Sequence, residues 1–335
     1  MAQIDSTYTH RDGETRGIGY RRWVIAQATL RACMGVKGMK WIVWSCWILA
    51  LIEGLFLFMF GQLLDPTSAV FEFITESMGA FRGIATPFQN LANDNPRIAI
   101  GMTHNLFFYF FSGWYVSTLT FTLLALGMAI PRLITSDLSS RAITIYSSKA
   151  VSRLDYCLGK LGGVLLLMTL TWLGPLLATW FMGNLLAPKL SFFWYTAPAL
   201  IHSLMFVLTG MIFLGLLALG VSAMTQSPRT ATAVWLAVLL MGAVLSGIGV
   251  DSGQTNLQYT SYWFDLELLQ NWMFDLAGDL EELDETFPSI TRMDMVQDLK
   301  ERLDDTAKNV AAAVVFLGLL SAGAVAILNK KVKPE

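Results

Sequence analysis

Crossing a hydrocarbon layer about 30 Å thick takes roughly 20 apolar residues as α-helix. Six charge-poor runs reach that length: Trp41 to Leu64, Leu106 to Ile130, Leu161 to Ala187, Phe192 to Ala223, Thr230 to Val250 and Val310 to Leu328. Backbone in lipid has to satisfy its own N–H and C=O groups, so runs of this kind fold as helices. They consume so much of the 335 residues that no sizeable soluble domain fits beside them. Only 14% of the residues are charged and 54% are hydrophobic, whereas soluble domains carry about 25% charge. The expected fold class is an all-α integral membrane protein with six transmembrane helices.

The balance of 23 Lys and Arg against 25 Asp and Glu excludes a generic nucleic-acid binder. With the N-terminus in the cytoplasm, alternate loops place 16 Lys and Arg inside and 7 outside. Acids divide the other way, six inside and 18 outside, leaving Glu53 within a span. The positive-inside rule therefore predicts that both termini are cytoplasmic. About forty mixed residues precede a first span of full length, so no cleavable leader is expected.

The division that follows is a cytoplasmic segment at 1–40, spans one to five at 41–250, an acidic outer insert at 251–308, and a sixth span with a basic tail at 309–335. Within it lie a first outer loop at 65–105 and one long cytoplasmic connection at 131–160. Arg21 to Lys40 reads as an interfacial helix with Trp23, Ala26, Leu30, Cys33 and Met34 on one side, its basic flanks suited to anionic membrane lipids.

Chemistry on the chain itself is expected to be absent. Cys33, Cys46 and Cys157 are isolated, and His10, His104 and His202 are scattered, so neither a metal site nor a hydrolytic triad assembles. Glu53 lies near the middle of the first span, where an unpaired charge costs several kcal/mol. It is a polar contact on a translocation path, a proton-coupled switch, or a protonated side chain hydrogen-bonded to a neighbouring helix, within the chain or across a dimer seam. Trp41, Trp44, Trp47, Trp114, Trp172, Trp180 and Trp194 read as an interfacial aromatic belt.

In the outer insert, Leu266, Leu269, Met273, Leu276, Leu280 and Leu283 recur at three and four spacing, which predicts a continuous packing seam broken at Pro288. Thr291 and Asp294 open a second helix carrying Val296, Leu299 and Leu303, the two arms forming a hairpin that leads into the sixth span. The seam's cover is expected from that second arm, from the Phe71, Ile74, Met78 and Phe81 stripe, or from the same helix of a second copy.

The connection Ile134-Thr-Ser-Asp-Leu-Ser-Ser-Arg-Ala-Ile-Thr-Ile-Tyr-Ser-Ser-Lys-Ala-Val-Ser-Arg-Leu-Asp-Tyr-Cys-Leu-Gly-Lys160 resembles the coupling segment of type 2 ABC exporter permeases. Asp137 matches the acid that opens a short helix, Ile143, Ile145 and Tyr146 the apolar turn, Val151-Ser152-Arg153 the Ser-Arg step, and Tyr156, Gly159 and Lys160 the aromatic-x-x-Gly-Lys that leads into the third span. Arg141 stands where that family often has Gly, and Ala150 where it usually has Pro.

The resemblance implies a permease subunit, one of two copies, in the inner membrane of a bacterium and driven by a separate ABC ATP-binding subunit. ATP and Mg would belong to that partner, with no cofactor on this chain. The absence of a G-x-x-x-x-G-K-[ST] phosphate loop agrees with a separate ATPase. Asp137, Arg141, Ile143, Tyr146, Lys149, Arg153, Tyr156 and Lys160 are the expected coupling residues. The alternative is a non-transporting scaffold that recruits partners through its outer loops.

Overall fold

The computed structural model describes residues 17–63, 72–73, 93–113, 118–142, 152–252, 260–286 and 310–332. Every regular element among them is helical: α1 (Ile18–Met34), α2 (Met39–Leu63), α3 (Pro96–Ser112), α4 (Thr118–Ala129), α5 (Thr135–Ser139), α6 (Arg153–Met168), α7 (Gly174–Leu185), α8 (Phe192–Ala223), α9 (Pro228–Ser252), α10 (Tyr262–Phe274), α11 (Leu276–Thr286) and α12 (Val310–Lys331). Among the described residues, six stretches are long and apolar enough to cross a membrane: Met39–Gln62, Thr118–Ser139, Arg153–Leu185, Phe192–Ala223, Pro228–Leu245 and Val310–Lys331. They correspond in order to the six runs in the sequence.

The second run is not one helix. Leu106 to Ile130 covers the end of α3 and all of α4, and α3 begins ten residues before the run, at Pro96. A helix that stops inside a bundle leaves carbonyls without partners, and here side chains supply them. Ser112 donates to the Phe108 carbonyl at 2.6 Å, Gln270 to Tyr109 at 2.6 Å, Thr118 to Phe111 at 3.2 Å and the Trp172 indole to Ser112 at 3.2 Å. Trp172 therefore departs from the expected belt. It is fully buried and stacks edge-on with Phe206, because its N–H caps the broken helix. Trp47 bonds the Leu170 carbonyl and Trp180 the Thr196 hydroxyl, whereas Trp41, Trp44 and Trp194 are largely exposed and free to meet lipid. Trp114 lies outside the described residues.

The third span, Arg153–Leu185, holds 33 residues, about 50 Å at the helical rise. It exceeds the hydrocarbon thickness, so its first turns, with Arg153 and Asp155, extend beyond the apolar layer. A π-helical turn at Thr169–Leu173 joins α6 to α7 just before Pro175, whose missing N–H and bulky ring disfavour regular α-helix there.

The outer seam also differs from expectation. Its helix breaks at Asp275, in the left-handed region at φ 49°, well before Pro288. The break separates α10 from α11, yet Leu266, Leu269, Leu276 and Leu280 are all buried, and Met273 packs against the same core. The cover comes from the chain's own bundle. Tyr262 lies 6.3 Å from Phe213 of α8, and Phe274 lies 6.2 Å from Phe206 of α8 and 5.6 Å from Tyr109 of α3. Leu283's side chain, the Phe71 to Phe81 stripe and the arm carrying Val296, Leu299 and Leu303 lie outside what is described.

α1 is held against α6 rather than standing apart from the bundle. Ala26, Thr29 and Cys33 are buried while Trp23 remains about half exposed. Close approach requires glycine on the α6 side: a Cβ on Gly163 would lie 2.5 Å from the Thr29 Cβ, and one on Gly159 would lie 2.7 Å from Ile25.

Candidate functional site

The connection between the second and third spans folds as a braced elbow. Pro131 falls in a 3-10 turn, Ile130–Arg132, that ends α4, and the short α5 follows. Turning the chain at this point exposes backbone groups, and Ser222 near the end of α8 collects them. Its hydroxyl accepts from the Ile134 and Thr135 N–H groups at 2.9 and 3.0 Å and donates to the Ile130 carbonyl at 2.8 Å. The Thr135 hydroxyl in turn donates to the Ser222 carbonyl at 2.7 Å.

A second set of contacts ties the elbow to α6. Tyr156 and Lys160 stand four residues apart and therefore share a helix face. The Lys160 ammonium lies 2.7 Å from the Asp137 carboxylate and donates to the Leu133 carbonyl at 2.7 Å. Tyr156 donates to the same Asp137 oxygen at 2.7 Å. The Lys160 side chain is only 8% exposed and that of Asp137 16%, so the pair is shielded and hydrogen-bonded on both sides, the geometry in which an ion pair can repay its desolvation.

One turn earlier, Ser152 caps α6 by accepting from the Asp155 N–H at 3.1 Å. Asp155 receives the Arg22 guanidinium of α1 at 2.6 Å. This outer pair is more open to solvent and correspondingly weak. Together the contacts join α1, α5, α6 and α8 into one solid unit.

The expected coupling residues thus fall into two groups. Asp137, Tyr156 and Lys160 face one another as an internal brace. Arg141 and Arg153 stand exposed, and Ile143, Tyr146 and Lys149 lie outside the described residues. Arg141 follows the end of α5 with φ 55°, a conformation that favours glycine, which accounts physically for the glycine often found there in the resembling family. Arg141→Gly should hold or raise the thermal unfolding midpoint in detergent. Arg141→Val should lower stability by about 1–2 kcal/mol.

Ser222, Asp155 and Arg22 were not singled out by sequence reasoning. Only Ser152-x-x-Asp155 carried a readable signal, the spacing of a helix cap. Glu53 is 8% exposed, and neither carboxylate oxygen meets a hydrogen-bond partner among the described residues. No group of three or more His, Cys, Asp and Glu arranged to hold a metal occurs among them.

Six candidate spans among the described residues, with a braced turn between the second and third, define a multi-pass membrane protein. The family model for the ABC-2 family transporter protein matches residues 37–327, and the chain belongs to that family. Its members are membrane components of transporters and work with an ABC ATP-binding subunit. No curated protein and no solved structure matches the chain.

Proposed function

We propose that this chain is the permease subunit of an ATP-driven exporter in the inner membrane of a bacterium, paired with a second copy of itself and moved by a separate ATP-binding subunit that docks at the elbow. ATP and Mg belong to that partner. The observation that carries the reading is the Asp137, Tyr156 and Lys160 brace, fixed to α8 through Ser222. A partner that pushes on the elbow would reach spans two, three and four together, because Lys160 and Tyr156 tie α5 to α6 and Ser222 ties the same turn to α8. α1 belongs to this unit through the Arg22–Asp155 pair and serves as an interfacial helix, its exposed Trp23 suited to headgroup depth.

Copurification with an ATP-binding subunit, followed by ATP-dependent outward movement of substrate in proteoliposomes, tests the proposal. A chain that assembles with no ATPase would support the scaffold reading instead.

Orientation is tested separately. Cysteines introduced at Ser139 and Lys333 should be shielded from an impermeant thiol reagent in intact cells, while those at Thr67 and Ser289 should react. Labelling at Ser139 from outside would invert the topology and remove the docking argument.

A further inference from the structure

At the end of α8 remote from the elbow, a cavity of about 330 Å³ opens between α3, α8 and α11. Residues 202 and 222 are twenty apart on one helix, so the cavity lies about 30 Å from the Ser222 contacts. Its wall is built by close backbone approach: a Cβ on Gly101 of α3 would lie 2.9 Å from the Tyr195 carbonyl of α8. The volume falls at the small end of ligand pockets, about 300–1,000 Å³.

The lining is chemically divided. Asp279 and Glu282, one turn apart on α11, face it from one side and Arg97 of α3 from another. These charges do not neutralise one another: among the described residues neither acid forms a salt bridge with Arg97, and Arg97 has no ion-pair or hydrogen-bond partner of its own. Ile98, Met102 and Ala199 add apolar surface to the lining.

Asn105 holds the acidic side in place. Its amide donates to the Phe274 carbonyl at 2.7 Å and to Asp279 at 2.5 Å, and its oxygen lies 3.4 Å from His202 Nδ1. Asn105 is 3% exposed, so the position of Asp279 is set by a buried group rather than by a mobile surface contact.

Opposite charges that share a cavity without touching suit a molecule that carries both signs. We infer that this cavity binds a small zwitterion, with its ammonium against Asp279, in the negative field that Glu282 reinforces, and its oxyanion against Arg97. An ammonium and a phosphate joined by a short carbon chain meet that requirement, whether as a free solute or as a lipid headgroup. The inference does not rest on the transport reading, because binding is a property of this chain alone.

The test is calorimetric titration of the full chain, purified in a zwitterion-free detergent, with phosphoethanolamine. Ethanolamine and inorganic phosphate serve as single-charge controls. Saturable binding of phosphoethanolamine, at least tenfold tighter than either control, is the expected result. Glu282→Gln should weaken it several-fold, and Arg97→Gln should reduce it to the ethanolamine value. Both residues are exposed, so neither variant threatens folding.

Absence of saturable binding, equal binding of either control, or indifference to both variants would overturn the inference. Repeating the titration in nanodiscs of phosphatidylethanolamine and of phosphatidylglycerol separates the sources. Competition confined to the former identifies a lipid headgroup, and undiminished binding in both identifies a free solute.

Discussion

Lys160→Met should abolish ATP-driven transport and lower the unfolding midpoint markedly. The substitution keeps most of the side-chain volume but removes the ammonium that faces both Asp137 and the Leu133 carbonyl. Removing one partner of a buried ion pair costs about 3–5 kcal/mol, chiefly because the other charge is left uncompensated. Asp137 is 16% exposed, so the lower end of that range applies.

A second change, Asp137→Asn, removes the stranded charge and should recover much of the stability. It should not recover coupling, since Asn cannot restore the tie to Leu133. Wild-type melting and transport in Lys160→Met would show that the elbow does not depend on the brace.

The second large effect is on pH dependence. Asp265 of α10 is fully buried, and neither of its oxygens has a hydrogen-bond partner among the described residues. Burial pushes its carboxyl up to about 7. Asp279 is pushed up to about 6, chiefly by burial, with the Asn105 hydrogen bond opposing the shift and Asp275 and Glu282 reinforcing it.

Both folded-state values lie above the ordinary carboxylate range, so the folded protein retains protons that the unfolded chain releases. This stabilisation is fully present below about pH 4, falls as pH rises between about 4 and the folded values, and is lost once pH has risen through about 6 to 7, where the folded carboxyls ionise. Across that window the loss from Asp265 is on the order of a few kcal/mol. Thermal unfolding from about pH 4 to 8 should show the decline, and Asp265→Asn should flatten it. A midpoint that rises with pH would contradict the assignment.

The spans were legible because lipid imposes a length and excludes charge, and both are written in single residues. The breaks were not. Leu106 to Ile130 stays apolar across the interruption at Gly113, and hydropathy does not register that Trp172, Gln270 and Thr118 take over the orphan carbonyls. These partners come from separate parts of the chain and meet only through packing.

Asp275 ends α10 without a Gly or Pro to announce it, so the leucine spacing ran on through the break. The seam itself was readable, but its cover was not, since apolar periodicity shows that a face is buried without saying against what. At the elbow, Asp137 and Lys160 were visible through resemblance, and the family match over residues 37–327 agrees with that resemblance. Their inward orientation needed the fold, because a 23-residue gap in sequence says nothing of a 2.7 Å contact.

α8 runs for 32 residues from Phe192 to Ala223, and Pro198 falls in its second turn, outside the stretch between His202 and Ser222. That stretch is a shaft held at its foot by the Ser222 contacts and at its head by close packing on α3. A tilt of about 5° at the Ser222 end would carry the His202 end sideways by roughly 2.6 Å, given about 1.5 Å of rise per residue. A displacement of that size is comparable with the 3.4 Å separation of His202 from Asn105. Small angular changes at one face of the protein would thus be magnified into the making or breaking of a single polar contact at the other, and the stiffness of one helix sets the gain.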